Sequence, residues 1–64
     1  MNFPQAIKIV INGHKITRAE WNADIYGFLN GGILSLHKED DKNYQWIVND
    51  GDLMAEDWEV YNGV

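Results

Sequence analysis

The chain has 64 residues, no cysteine and a formal net charge of −5. A chain of this length supports one core, and so one domain over 1–64, and it buries only roughly 60% of its unfolded surface. Disulfides and thiolate metal sites are excluded, and no apolar run approaches the roughly 20 residues of a membrane span.

Phe3-Pro4 follows Met1 and Asn2 without a basic segment, so no signal peptide is expected and the chain reads as cytoplasmic. The charge is lopsided. Lys8, Lys15 and Arg18 all precede Glu20, the first acid, so residues 1–19 carry +3. Residues 20–64 set two lysines against ten acids, or −8. An acidic body repels nucleic acid, whose binding needs phosphates neutralised, and no direct nucleic-acid binding is expected. A local basic patch suits a small doubly charged anion; the plainer reading of the acidity is solubility.

In chain order, Asn2 reads as an N-cap with Gln5 completing a capping box, and Pro4 falls in the first turn. Phe3, Ala6, Ile7 and Val10 then form one helical face, and Gly13 ends the helix as its C′ residue. His14 to Arg18 is a short extended segment, and Trp21 to Asp24 a turn. Ile25 to Leu29 and Ile33 to His37 flank Asn30-Gly31-Gly32, a hairpin signal. Glu39 to Asn43 reads as a loop and Tyr44 to Val48 as the next strand. Asn49-Asp50-Gly51 turns, Asp52 can cap one helical turn through Glu56, and Trp58 to Tyr61 is a closing strand. The predicted fold is α+β: one N-terminal helix packed on a small antiparallel sheet of four to five strands.

No nucleophile sits in a recognisable motif, and Ser35 is the sole serine. The Asp52-to-Asp57 spacing defines no acid–base pair, and no glycine-rich phosphate loop is present. An enzyme is therefore not expected, nor a cofactor. His14 and His37 read as surface residues, and no metal site is assigned.

Arg18 followed by Trp21-Asn22 is the sharper feature. Arginine takes phosphate bidentately, indole stacks a base and an amide pairs with a base edge. The competing reading makes Trp21 a core residue and pairs Arg18 with Glu20 or Asp57. Trp46 with Asp52 six residues on is the second feature. Asp52 reads either as a plain N-cap or as an acceptor for ribose hydroxyls, while Trp58 reads as core.

The segment from Phe3 through Gly13 to Arg18-x-x-Trp21-Asn22, with Trp46 and Asp52-Leu53-Met54-Ala55-x-Asp57-Trp58-x-Val60, resembles the Thoeris anti-defence type 2 family of phage domains. The match covers both ends of the chain, with a shorter middle than in longer members and Met54 where a leucine is usual. The resemblance implies a non-enzymatic sponge that assembles as an oligomer and holds an immune cyclic nucleotide, either a cyclic ADP-ribose isomer or a cyclic oligonucleotide. Ligand contacts are expected from Arg18, Trp21 and Asn22, with Trp46 and Asp52 on a facing wall. Three Trp, three Tyr and two Phe in so short a chain also point to self-association, as a dimer or tetramer. A rival reading from another class is an acidic inhibitor that fills the nucleic-acid groove of a defence nuclease, with the acids of 39–41 and 50–59 as its contact.

Overall fold

The computed structural model describes residues 1–62. Helix α1 spans Phe3–Ile11, and both of its ends are closed by local chemistry. The Asn2 side chain accepts from the Gln5 backbone N–H at 3.0 Å, and the Gln5 side chain accepts from the Asn2 N–H at 3.0 Å. At the other end Gly13 adopts φ +94°, which a Cβ would disfavour. Its N–H reaches the Val10 carbonyl and the His14 N–H reaches that of Ile9, the paired bonds of a Schellman stop. The expected apolar face turns inward: Ala6 and Val10 are buried, with Phe3 and Ile7 packed beside them.

Five strands follow: β1 Ile16–Arg18, β2 Tyr26–Asn30, β3 Ile33–His37, β4 Asn43–Gln45 and, after a short helix, β5 Trp58–Val60. They form one antiparallel sheet in the order β4-β3-β2-β1-β5. Strand β1 lies between β2 and β5, since Ile16 pairs with Gly27 on one side and Val60 on the other. The chain's first strand thus brings its last beside α1, and the Trp58 N–H donates to the Met1 carbonyl at 3.1 Å. Trp46, Trp58 and Ile16 complete the core under α1. Among the described residues no helix is long and apolar enough to cross a membrane.

Three local expectations are corrected. The hairpin turn is Gly31-Gly32, with φ +60° and +85°, so Asn30 belongs to β2 and pairs with Ile33. Both central residues of such a tight turn need positive φ, which two glycines meet without strain. The strand expected over Tyr44–Val48 ends at Gln45. Its partner β3 begins at Ile33, so this register would set Val48 opposite a turn glycine; the last ladder bond is Trp46 N–H to the Leu34 carbonyl, at 3.0 Å. The third correction concerns the second helix, α2, which spans Asp50–Met54 and is capped by Asn49 rather than Asp52. Asn49 Oδ1 accepts from the Asp52 N–H at 2.7 Å, placing Asp52 inside the first turn with its carboxylate free to face Arg18.

Candidate functional site

Arg18 ends β1, with Trp58 opposite it in β5. That position carries its guanidinium, only 14% exposed, among carboxylates from three separate segments. Nε donates to Asp57 Oδ1 at 2.8 Å, Nη1 to Asp52 Oδ1 at 3.1 Å, and Nη2 pairs with Glu20 Oε2 at 2.8 Å. The Asp57 hydrogen bond first, with help from Asp52, raises the already high pKa of Arg18 against the opposing effect of burial. Hydrogen bonding to Arg18 holds the Asp57 carboxyl below the usual carboxylate range. Asp57 also accepts from the Glu20 N–H at 3.3 Å, which fixes the turn after β1. The pairing of Arg18 with acids is therefore real, and it includes Asp52, which sequence spacing did not suggest.

The tryptophans form one cluster. Trp21 meets Trp58 edge-on at a centroid distance of 5.1 Å and Trp46 at 5.8 Å, and Phe3 closes the far side. Trp58 Nε1 donates to the Asp52 carbonyl at 3.1 Å. Trp46 Nε1 is buried and has no hydrogen-bond partner among the described residues. Trp21 is half-buried, so one part of it serves the core and another faces solvent. Asn22 is exposed, and its amide donates to Glu39 Oε1 at 2.7 Å.

Arg18, Trp21 and Asn22 line one open cleft of about 280 Å³, with Thr17, Glu59 and Tyr61 among its other walls. Trp46 and Asp52 do not line it: Trp46 stands behind Trp21, and Asp52 stands on Arg18.

A larger cleft, about 550 Å³, shares Tyr61 and Asn62 with the first and is lined further by Lys15, Tyr26, His37, Asp24, Glu39 and Asp41. The Tyr26 ring stacks on His37 at 4.7 Å and on Tyr61 at 4.6 Å, and Lys15 Nζ lies 4.5 Å from its centroid. The His37 ring nitrogens lie 2.9 Å from Asn43 Oδ1 and 3.1 Å from Asp41 Oδ1. Sequence reasoning missed these residues. Their signal was strand alternation: Gly27 faces the core, so Tyr26 falls on the opposite face, and a two-residue turn sets His37 directly across from it.

A helix on one face of a five-stranded sheet, with two adjoining aromatic clefts, defines a small α+β domain built around a tryptophan cluster. The chain belongs to the Tad2-like family: the model of the Thoeris anti-defense 2-like domain matches residues 1–61. The family carries an anti-defence role directed at Thoeris. No curated protein matches the chain.

Proposed function

We propose that this protein counters Thoeris by binding and sequestering a cyclic nucleotide signal, a cyclic ADP-ribose isomer or a cyclic oligonucleotide, without cleaving it. The observation that supports this most is the convergence of Arg18, Trp21 and Asn22 on one open cleft that adjoins the stacked Tyr26 and Tyr61. Indole and phenol faces suit bases, and a guanidinium suits phosphate. Trp46 and Asp52 act from behind, as supports of Trp21 and Arg18. The orphan N–H of Trp46 adds a further reason for a ligand near the cluster. A buried unpaired donor costs about 1–3 kcal/mol, which an acceptor on a ligand would relieve.

The non-catalytic reading rests on how the reactive groups are occupied. Ser35 is buried with its hydroxyl donating to the Ile33 carbonyl at 3.0 Å, and Asp52 and Asp57 are bound to Arg18. The rival groove-filling reading loses support for a related reason. Asp52 and Asp57 hold Arg18, so the 50–59 cluster is partly committed inside the domain, while Asp40 and Asp41 bond to Tyr44 and His37 at the surface. We place the protein in the bacterial host cytoplasm, where such a signal is made, and as a homo-oligomer, because apolar side chains remain uncovered on the single chain.

Incubation with cyclic ADP-ribose isomers and cyclic dinucleotides should raise the melting temperature, by mass action on the folded state. Binding should saturate at a fixed ratio per protomer, and heat should release the ligand chemically unchanged. Trp21→Ala should weaken binding by roughly ten- to a hundredfold, the value of about 1–3 kcal/mol of stacking. Linear products, consumption of a molar excess of ligand, or a folded Trp21→Ala protein with full affinity would contradict this reading.

A further inference from the structure

We propose that the larger cleft binds an extended alkylamine, a diamine or polyamine. Its methylene stem lies along the stacked rings of Tyr26, His37 and Tyr61, and its ammonium groups meet the carboxylates of Asp24 and Glu39. The site adjoins the cleft of Arg18, Trp21 and Asn22 and needs no nucleotide there.

The floor and the rim of this cleft differ in chemistry. Tyr26, His37 and Tyr61 are half-buried, and the Tyr26 ring stacks on both neighbours, 4.7 Å from His37 and 4.6 Å from Tyr61. Asp24, Glu39 and Asp41 stand exposed around them. An ammonium already rests on the floor, because Lys15 Nζ lies 4.5 Å from the Tyr26 centroid. Ring faces attract cations through their quadrupole, and a methylene stem lies well on apolar surface while its charged end stays in water. Lys15 thus makes, within this cleft, the contact that an alkylamine would make.

Charge decides the sign of the ligand. One lysine faces three carboxylates, so with His37 neutral the lining carries −2. Among the described residues Lys15, Asp24 and Glu39 form no ion pair, although they share the cleft. The Glu39 carboxylate accepts from the neutral Asn22 amide at 2.7 Å, which leaves its charge uncompensated. A phosphate-bearing ligand is repelled here, and a dication neutralises the lining. Shape decides the rest. No group of three or more His, Asp or Glu among the described residues converges closely enough to hold a metal ion. A compact dication therefore satisfies these carboxylates poorly, whereas an alkylamine carries its charges apart and meets them separately.

The test titrates the protein with putrescine and spermidine, with magnesium as the compact dication and butanediol as the uncharged stem, at fixed pH and ionic strength. Binding is read by NMR at the Lys15 amide and the Tyr26 and Tyr61 rings, with the Trp21 indole as the reporter of the smaller cleft. Both amines should shift the first three signals and leave Trp21 in place, and spermidine should bind the tighter. Asp24→Asn and Glu39→Gln should each weaken spermidine binding about two- to fivefold, the scale of one exposed ion pair. Tyr61→Leu should weaken it about as much, the scale of an exposed cation–π contact. Glu56→Gln removes an exposed acid that lines neither cleft, and it should bind as wild type. Melting temperatures check that each variant is folded. No response to either amine, equal binding of magnesium or butanediol, an equal loss in Glu56→Gln, or full affinity in folded Asp24→Asn and Glu39→Gln overturns the site. A cyclic nucleotide retained by a protein that ignores both amines removes the alkylamine site alone. Amine binding with no cyclic nucleotide retained leaves the site standing and removes the sequestration reading.

Discussion

Gly27 shows how a single missing atom holds this core together. A Cβ placed there would lie 2.5 Å from Cζ3 of Trp46, whose ring is buried and cannot retreat. The strand needs no unusual φ at this point; it needs room for the six-membered ring of Trp46 against its backbone. Gly27→Ala should therefore destabilise the fold by about 1–3 kcal/mol through overpacking, and it should alter near-ultraviolet circular dichroism from the tryptophan cluster. Denaturant melts of the two proteins check this. Asp57 supplies the second prediction at this scale. Its pKa is lowered in the fold by Arg18, so its contribution is present above the ordinary aspartate range of about 3.9 and is lost as pH falls through the depressed value. Asp40, lowered by the Tyr44 hydroxyl, works in the same direction. Melting temperature should thus fall on acidification below about pH 4. Asp57→Asn should be less stable than wild type at neutral pH and should flatten that acid slope.

Among the elements, α1 and α2 illustrate two uses of the same capping chemistry. Asn2 closes α1 within a capping box, with Gln5 returning the bond. Asn49 closes α2 alone, because the residue three positions on is Asp52, whose side chain is drawn away to Arg18. A charged partner makes the stronger hydrogen bond, so the aspartate goes to the guanidinium and the asparagine to the helix end. The cap thus positions the Asp52 carboxylate as well as the turn. Asn49→Ala should cost about 1 kcal/mol, which in a domain of this size lowers the melting temperature by about 4–8 °C. Asn49→Asp should restore most of that loss, since aspartate caps equally well. A calorimetric series over the three proteins decides it, and an Asn49→Ala protein as stable as wild type would separate the cap from the Arg18 network.

On the scale of the whole molecule, what stands out is how much apolar surface a lone chain leaves in water. Ile47 is 82% exposed and Met54 76%, with Leu53 beside it in α2 and Ile33 at the turn of the β2–β3 hairpin. Two short helices and one sheet cannot cover every apolar side chain in a chain this small. Association of copies, as proposed above, would bury that surface and add stability that a small core lacks. Light scattering at micromolar concentration should give a multiple of 7.4 kDa. Ile47→Glu together with Met54→Glu should move the mass toward that of one chain. A monomer at every concentration would assign these side chains to another purpose.

The local parts of this protein are written in short stretches of its sequence. Asn2-x-x-Gln5 with Gly13 bounds a helix, and glycines between two apolar runs make a hairpin, because each depends on backbone chemistry within a few residues. The family is legible in the same way, as fixed spacings near the two ends. Arg18, Trp21 and Asn22 also lie close enough in the chain to be recognised together, and the fold sets them on one cleft. Tertiary structure decided the rest. Whether Asp52 capped its own helix or met Arg18 depended on β1 lying against β5, a pairing across some forty residues that no local pattern encodes. The stack of Tyr26, His37 and Tyr61 depended on the registers of four strands at once, β3, β2, β1 and β5. Charge and stacking act through space, so groups distant in sequence compete for the same partner, and only the folded chain settles which of them is close enough to win.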